Sequence, residues 1–184
     1  MDKQSSRRHL IRILQSAYSG ELAAALAYRG HWKSLEDHAE TNKIRQIEEE
    51  EWIHRQKVGR MLDDLASGPL KIKEIKMWLI GRTVGLACHF TGWFLPMYFA
   101  GRLETVNVEE YEIAASCAGD LGLSEFEGEL RFMAAVEREH EEFFISVVAG
   151  HRLLPLLEML FDWGPAQDVE ITGKKPEVFS NPTE

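Results

Sequence analysis

The sequence predicts an all-α protein: a four-helix bundle built as two antiparallel hairpins, with a long helical crossover between them and a short C-terminal helix. Three observations carry this. Apolar residues recur at helical rather than strand period along most of the chain. Breaks rich in Gly and Pro divide it into helix-length segments. Two Glu-x-x-His pairs, Glu51 with His54 and Glu137 with His140, fall in two of those segments.

The first helix is predicted from about Ser6 to Trp32, where Leu10, Leu14, Ala17, Glu21, Ala24 and Tyr28 share one stripe. The second begins near Asp37 and stops at Ser67-Gly68-Pro69. Lys71 to Gly92 reads as the crossover helix, and Pro96 as the break behind it. A third bundle helix runs from about Met97 to Ala118 and ends in the turn Gly119-Asp120-Leu121-Gly122. Ser124-x-x-Glu127 has the form of a capping box that opens the fourth, which Gly150 closes. A short helix, His151 to Phe161, then packs back. Residues 1–163 thus form one helical domain, long enough for a substantial core. From Gly164 to Glu184 Pro, Lys, Glu and Thr dominate, which predicts an extended or disordered tail.

A net charge of −9 argues against a nucleic-acid partner, which needs clustered Lys and Arg. Cys88 and Cys117 are too few for a disulfide framework and read as buried thiols. The N-terminus lacks the long apolar core of a signal peptide, so a cytoplasmic location is expected.

An i, i+3 spacing sets Glu and His on one helix face. Each Glu-x-x-His pair is preceded by Glu-x6-Tyr, namely Glu21 with Tyr28 and Glu104 with Tyr111. Two hairpins carrying Glu, Tyr and Glu-x-x-His would be related by a pseudo-two-fold axis. Four Glu and two His from four helices form the ligand set of di-iron or di-manganese bundles. Four carboxylates and two neutral imidazoles balance two divalent cations. By analogy with such sites Glu51 and Glu137 bridge, Glu21 and Glu104 bind terminally, and His54 and His140 each give one nitrogen. Tyr28 and Tyr111 would hold the ligands by hydrogen bonds.

Other acidic residues compete for these roles. In Glu48-Glu49-Glu50-Glu51 only Glu51 has a histidine partner, so the other three read as a solvated face. Glu109 and Glu110 rival Glu104, which Tyr111 favours by repeating the Tyr28 relation. His9, His31, His38, His89 and His151 read as surface or packing residues, with His89, in the apolar crossover, placed to face a substrate. Met77 to Phe99 is rich in aromatic and apolar residues, and Gly81, Gly85 and Gly92 would permit close helix packing. With Lys71, Lys73, Lys76 and Arg82 nearby, this segment fits a helix in a membrane interface, a pocket for a lipophilic ligand, a cap on the bundle core, or the subunit interface of a homodimer.

From about Ala17 to Trp163 the chain resembles the demethoxyubiquinone hydroxylase family, ferritin-like di-iron enzymes of ubiquinone biosynthesis. The likeness rests on Ser19-Gly20-Glu21 with Tyr28, both Glu-x-x-His pairs, Glu104-x6-Tyr111, and the Gly-rich segment from Met77 to Glu104. The family's Asp-His-Ala before its first Gly-Glu is replaced here by Ala17-Tyr18-Ser19. Its histidine before the third-helix Tyr is replaced in the same way by Glu109 and Glu110. The resemblance implies the metal ligands Glu21, Glu51, His54, Glu104, Glu137 and His140, two Fe ions with Mn as the other choice, and a monooxygenase that activates O2. It also implies a hydrophobic, quinone-type substrate, an external electron donor and peripheral association with the inner membrane face. The alternatives are iron oxidation or peroxide removal of the ferritin or rubrerythrin kind, and a helical scaffold without enzymatic activity.

Overall fold

The computed structural model describes residues 3–35 and 39–165. Six helices run through them: α1 (Lys3–Ser34), α2 (Thr41–Asp64), α3 (Lys71–Thr91), α4 (Phe94–Leu121), α5 (Ser124–Val148) and α6 (Leu154–Phe161). No strand occurs among the described residues. The predicted second-helix start at Asp37, His38, and the tail beyond residue 165 lie outside them.

Side chains at the helix ends fix the directions. Arg7 of α1 donates to the Leu65 carbonyl at 2.7 Å, and Trp32 reaches Glu48 at 2.7 Å, so α1 and α2 are antiparallel. Glu112 with Arg131 and Thr105 with Glu141 set α4 against α5 in the same way. Across the two hairpins, Ser6 bonds Asp120 at 3.2 Å, and Lys57 pairs with Glu129 at 3.0 Å. Thus α1 opposes α4, and α2 opposes α5. Crossover α3 runs alongside α1 in the same direction, returning the chain to the end where α4 begins.

Each bundle helix carries two apolar segments with a polar interval between them. Leu10, Leu14, Val58, Leu62, Ala115, Leu130 and Met133 belong to one core cluster. Ile44, Ile47, Met97, Tyr98, Phe144 and Val148 belong to the other. Between these layers, on all four helices, lie the buried Glu21, Glu51, His54, Glu104, Glu137 and His140. The second core is closed by α6 and Trp163: Tyr98 donates to the Leu157 and Trp163 carbonyls at 2.9 and 2.8 Å.

Several boundaries differ from expectation for local reasons. Pro96 does not break a helix; it lies in the first turn of α4, where its missing N–H has no intrahelical acceptor to lose. The capping box is not formed: Leu123 is the N-cap, Ser124 is already helical, and no side chain caps the end. Left-handed Gly122 (φ 76°) ends α4, and only Gly122 and Leu123 lie between the two helices. Glu127 pairs instead with Arg131 at 2.9 Å. Gly150 (φ 75°) follows α5 as expected, while α6 starts at Leu154 rather than His151.

Close packing of α3 on α1 requires small residues. A Cβ on Gly81 would lie 2.6 Å from the Ala23 carbonyl oxygen, and one on Gly85 2.8 Å from that of Leu26. Gly30 faces Gly85 backbone to backbone, a partner the sequence did not suggest. Gly92 has a different role from the one expected: with φ 72° and open space around it, it ends α3.

Substituting these glycines should therefore reverse the usual helix preference. Gly81→Ala should lower stability by about 1–3 kcal/mol through overpacking. Gly128→Ala, on an exposed part of α5 with nothing within 4 Å, should raise it by about 0.5–1 kcal/mol. Urea unfolding midpoints would test the contrast.

Candidate metal centre

The four bundle helices bring all six predicted ligands together. Glu21 comes from α1, Glu51 and His54 from α2, Glu104 from α4, and Glu137 and His140 from α5; none is more than 3 % exposed. Two groups form. Glu21, Glu51, His54 and Glu137 each offer an atom within 4.8 Å of the others, and so do Glu51, Glu104, Glu137 and His140. Glu51 and Glu137 belong to both. Either group could hold a metal ion. Glu109 is exposed and Glu110 half-buried, so the α4 member is Glu104.

Antiparallel registry explains the convergence. His54 Nδ1 lies 2.9 Å from Glu137 of the other motif, while His140 Nδ1 lies 3.2 Å from its own Glu137 and 3.6 Å from Glu51, so both histidines converge on Glu137. The tyrosines pair across the hairpins. Tyr28 on α1 donates to Glu104 Oε1 on α4, and Tyr111 on α4 donates to Glu21 Oε1 on α1. A seven-residue step up one helix matches a seven-residue step down its partner, so each tyrosine serves the opposite hairpin.

The donor set fits a cation better than it fits itself. Both oxygens of Glu51 and Oε2 of Glu21 are buried without a hydrogen-bond donor. Burial pushes Glu51 well above the usual carboxylate range, with the Glu137 and Glu21 charges adding to it. Glu104 is raised well above it by burial and then by Glu137, and Glu21 is raised chiefly by burial. Burial also acts to raise Glu137, but His140 and His54 beside it hold it down at about 2. A carboxylate cluster kept from water costs several kcal/mol per uncompensated ion. Cations at its centre would remove that cost.

Two neighbours of Glu51 are not the solvated residues the sequence suggested. Glu48 is buried and accepts bonds from Arg29 and Trp32 at 2.7 Å and from Trp52 at 3.1 Å. Burial acts to raise its pKa, but these donors outweigh it and leave the group below the usual range. Glu50 lies 2.7 Å from His140 Nε2, on the ring edge turned away from the cluster. Only Glu49, with its side chain 68 % exposed beside Arg45, is the solvated residue expected. No local spacing signals Glu50, because its partner is on another helix.

An apolar groove of about 240 Å3 runs between α1, α3 and α4, lined by Tyr28, His31, Val84, Cys88, Phe99 and Leu103 among others. A second hollow, about 140 Å3, reaches Glu21 and Tyr111, with Leu103 bordering both. His89 lies elsewhere, exposed beside Arg82 and Arg29, so it does not face this groove. His31, buried in the groove wall, was the histidine to single out. Of the remaining histidines, His9 is half-buried near Cys117, and His151 stacks on Phe94. Cys88 and Cys117 are free and buried, with burial pushing the Cys88 thiol up to about 11.

No known protein family, curated protein or solved structure matches this chain. Its fold and site define the class: a helical bundle whose buried carboxylate–histidine cluster could hold metal.

The shifts give a sign for the metal-free protein. Glu21, Glu51, Glu104 and His54 have raised folded pKa values, so their contribution is full below the unfolded pKa and is lost as pH rises through the folded ones. Glu137 acts oppositely, losing its contribution as pH falls from 4.5 toward about 2. Stability without metal should therefore fall as pH rises above the ordinary carboxylate value of 4.5, and a divalent cation should oppose that fall. Denaturant midpoints across this rise in pH, with Glu51→Gln flattening the metal-free slope, are the check.

Proposed function

We propose that the protein is a ferritin-like, non-haem di-iron oxidoreductase that uses O2 to hydroxylate a hydrophobic, quinone-type substrate. The observation that carries it is a pair of overlapping ligand groups, sharing Glu51 and Glu137, set beside an apolar groove whose lining includes Tyr28, the hydrogen-bond partner of Glu104. Glu51 and Glu137 would bridge the two ions, with Glu21 and His54 completing one position and Glu104 and His140 the other. Oxygen and nitrogen ligands of this kind suit iron or manganese. When bound, the metals supply the oxygen activation that side chains cannot perform. Electrons come from an external donor or from the substrate.

The chain's own residues do the rest. Tyr28 and Tyr111 orient the terminal carboxylates, and burial followed by the Glu104 and Glu21 charges keeps both phenols protonated as donors. The groove seats an apolar ring against Tyr28, and α3 shields it from water. An iron-storage protein needs no such groove, which is why hydroxylation is preferred to metal oxidation alone.

The outer face of α3 fits the delivery of a lipophilic molecule. Ile72, Ile75, Leu79, Leu86 and Phe90 recur at steps of three, four and seven residues, opposite buried Gly81, Gly85 and Cys88. Ile72 and Phe90 are 85 % and 82 % exposed. Lys71, Lys76 and Arg82 lie exposed beside this stripe and form no ion pair among the described residues. No helix among the described residues is long and apolar enough to cross a membrane. A helix lying on an anionic bilayer uses both features.

Anaerobic reconstitution should load two irons per chain, and Glu51→Ala or His140→Ala should abolish loading while Glu49→Ala keeps it. Ala87→Trp, which fills the groove from α3, should leave iron content unchanged and stop hydroxylation of a short-chain quinone-type substrate. Turnover unaffected by that substitution would favour a reaction without organic substrate. Sedimentation with vesicles rich in anionic lipid should drop at least tenfold for the pair Ile72→Asp and Phe90→Asp; unchanged sedimentation would remove the membrane from the proposal.

A further inference from the structure

The two halves of the centre have matching ligands but unlike surroundings. On one side, His140 meets a carboxylate through its outer nitrogen, Glu50 at 2.7 Å from Nε2. The terminal ligand there is held at both oxygens: Tyr28 donates to Glu104 Oε1, and Asn107 donates to Oε2 at 2.9 Å. On the other side, Val136 precedes Glu137 where Glu50 precedes Glu51, and Ala24 follows Glu21 where Asn107 follows Glu104. Accordingly, Glu21 is held by Tyr111 at Oε1 alone and has no donor at Oε2. Among the described residues His54 hydrogen-bonds through Nδ1 only. The nearby charges differ too. The cationic Lys57 stands one turn beyond His54, and apolar Phe143 takes the corresponding place after His140.

These differences act in one direction. A carboxylate accepting from Nε2–H fixes that tautomer and turns the Nδ1 lone pair of His140 inward, toward Glu51 and Glu137. It also adds negative charge close to the ion. Both rings approach Glu137 through Nδ1, His54 at 2.9 Å from Oε1 and His140 at 3.2 Å from Oε2, but among the described residues no carboxylate meets the far nitrogen of His54 to fix its tautomer. The positive Lys57, although paired with Glu129 at 3.0 Å, disfavours a second cation there. Glu104 is already held in one orientation, whereas Glu21 must be oriented on binding.

We infer that the centre fills unequally: the half made by Glu51, Glu104, Glu137 and His140 takes the first divalent cation and holds it more tightly, with Glu50 as its positioning residue. This rests on the two-cation centre proposed above and extends it to the order of loading. Partners that orient a ligating histidine are commonly worth 10- to 100-fold in metal affinity.

Calorimetric titration of metal-free protein with Co2+, without O2, tests it. Wild type should bind two ions in separable steps at least tenfold apart. Glu50→Gln should weaken the first step roughly 10- to 100-fold and merge it with the second, Glu50→Asp should restore part of the gap, and Glu49→Gln should leave both steps alone. His140→Ala should remove the tight step, and His54→Ala the weak one. Two equal steps in wild type, an unchanged first step in Glu50→Gln, or loss of the tight step in His54→Ala would overturn the inference while leaving the centre intact. Failure of wild type to bind Co2+ at all, with helical circular dichroism preserved, would overturn the centre itself.

Discussion

Four carboxylates held where water does not reach repel one another strongly, and every helix of the bundle contributes to that repulsion. Their burial is a consequence of where the apolar layers lie. Each bundle helix places one apolar segment toward each end and its acidic or imidazole groups between them, so packing both cores forces the polar layer into the centre. The two histidines relieve part of the repulsion, chiefly at Glu137. Glu51, with two buried oxygens and no donor, remains the most exposed to it. Protons or a bound cation can neutralise such a layer, and its Glu and His groups could hold a metal ion.

Antiparallel pairing turns a repeated motif into a reciprocal one. Because α1 opposes α4 and α2 opposes α5, equal spacings along the two strands of the repeat meet head to tail. Tyr28 therefore serves Glu104, Tyr111 serves Glu21, and both imidazoles converge on Glu137. The symmetry is only approximate, and its breaks, at Glu50 and Val136 and at Asn107 and Ala24, are what give the two halves different chemical character.

The crossover solves a different problem with the same economy of side chains. Glycines at 30, 81 and 85 bring α3 against α1 almost backbone to backbone, which uses up the inner face of α3 with little side-chain volume. Its bulky residues are then displaced outward as an apolar stripe, and the space left toward α4 becomes the groove beside Tyr28. The apolar richness of α3 and the start of α4 thus divides: Phe94, Met97 and Tyr98 of α4 build the core, while Ile72, Leu79 and Phe90 of α3 face out.

Helical period, breaks at Gly and Pro, and the spacing of Glu, Tyr and His along single helices were legible in the chain, because these relations are local. They sufficed for the helix order and for the residues that converge. Relations between helices were not legible. Glu48 and Glu50 looked like solvent-facing charges because their partners, Arg29, Trp32 and His140, lie on other helices or on another turn. Gly30 looked ordinary until Gly85 lay across it, and Ser124 looked like a cap until the tight Gly122 turn drew it into the helix. The sequence by itself determined which groups are available and how they repeat. Tertiary structure decided which of them meet, because an antiparallel registry between helices depends on how two side-chain surfaces interlock, and no single helix carries that information.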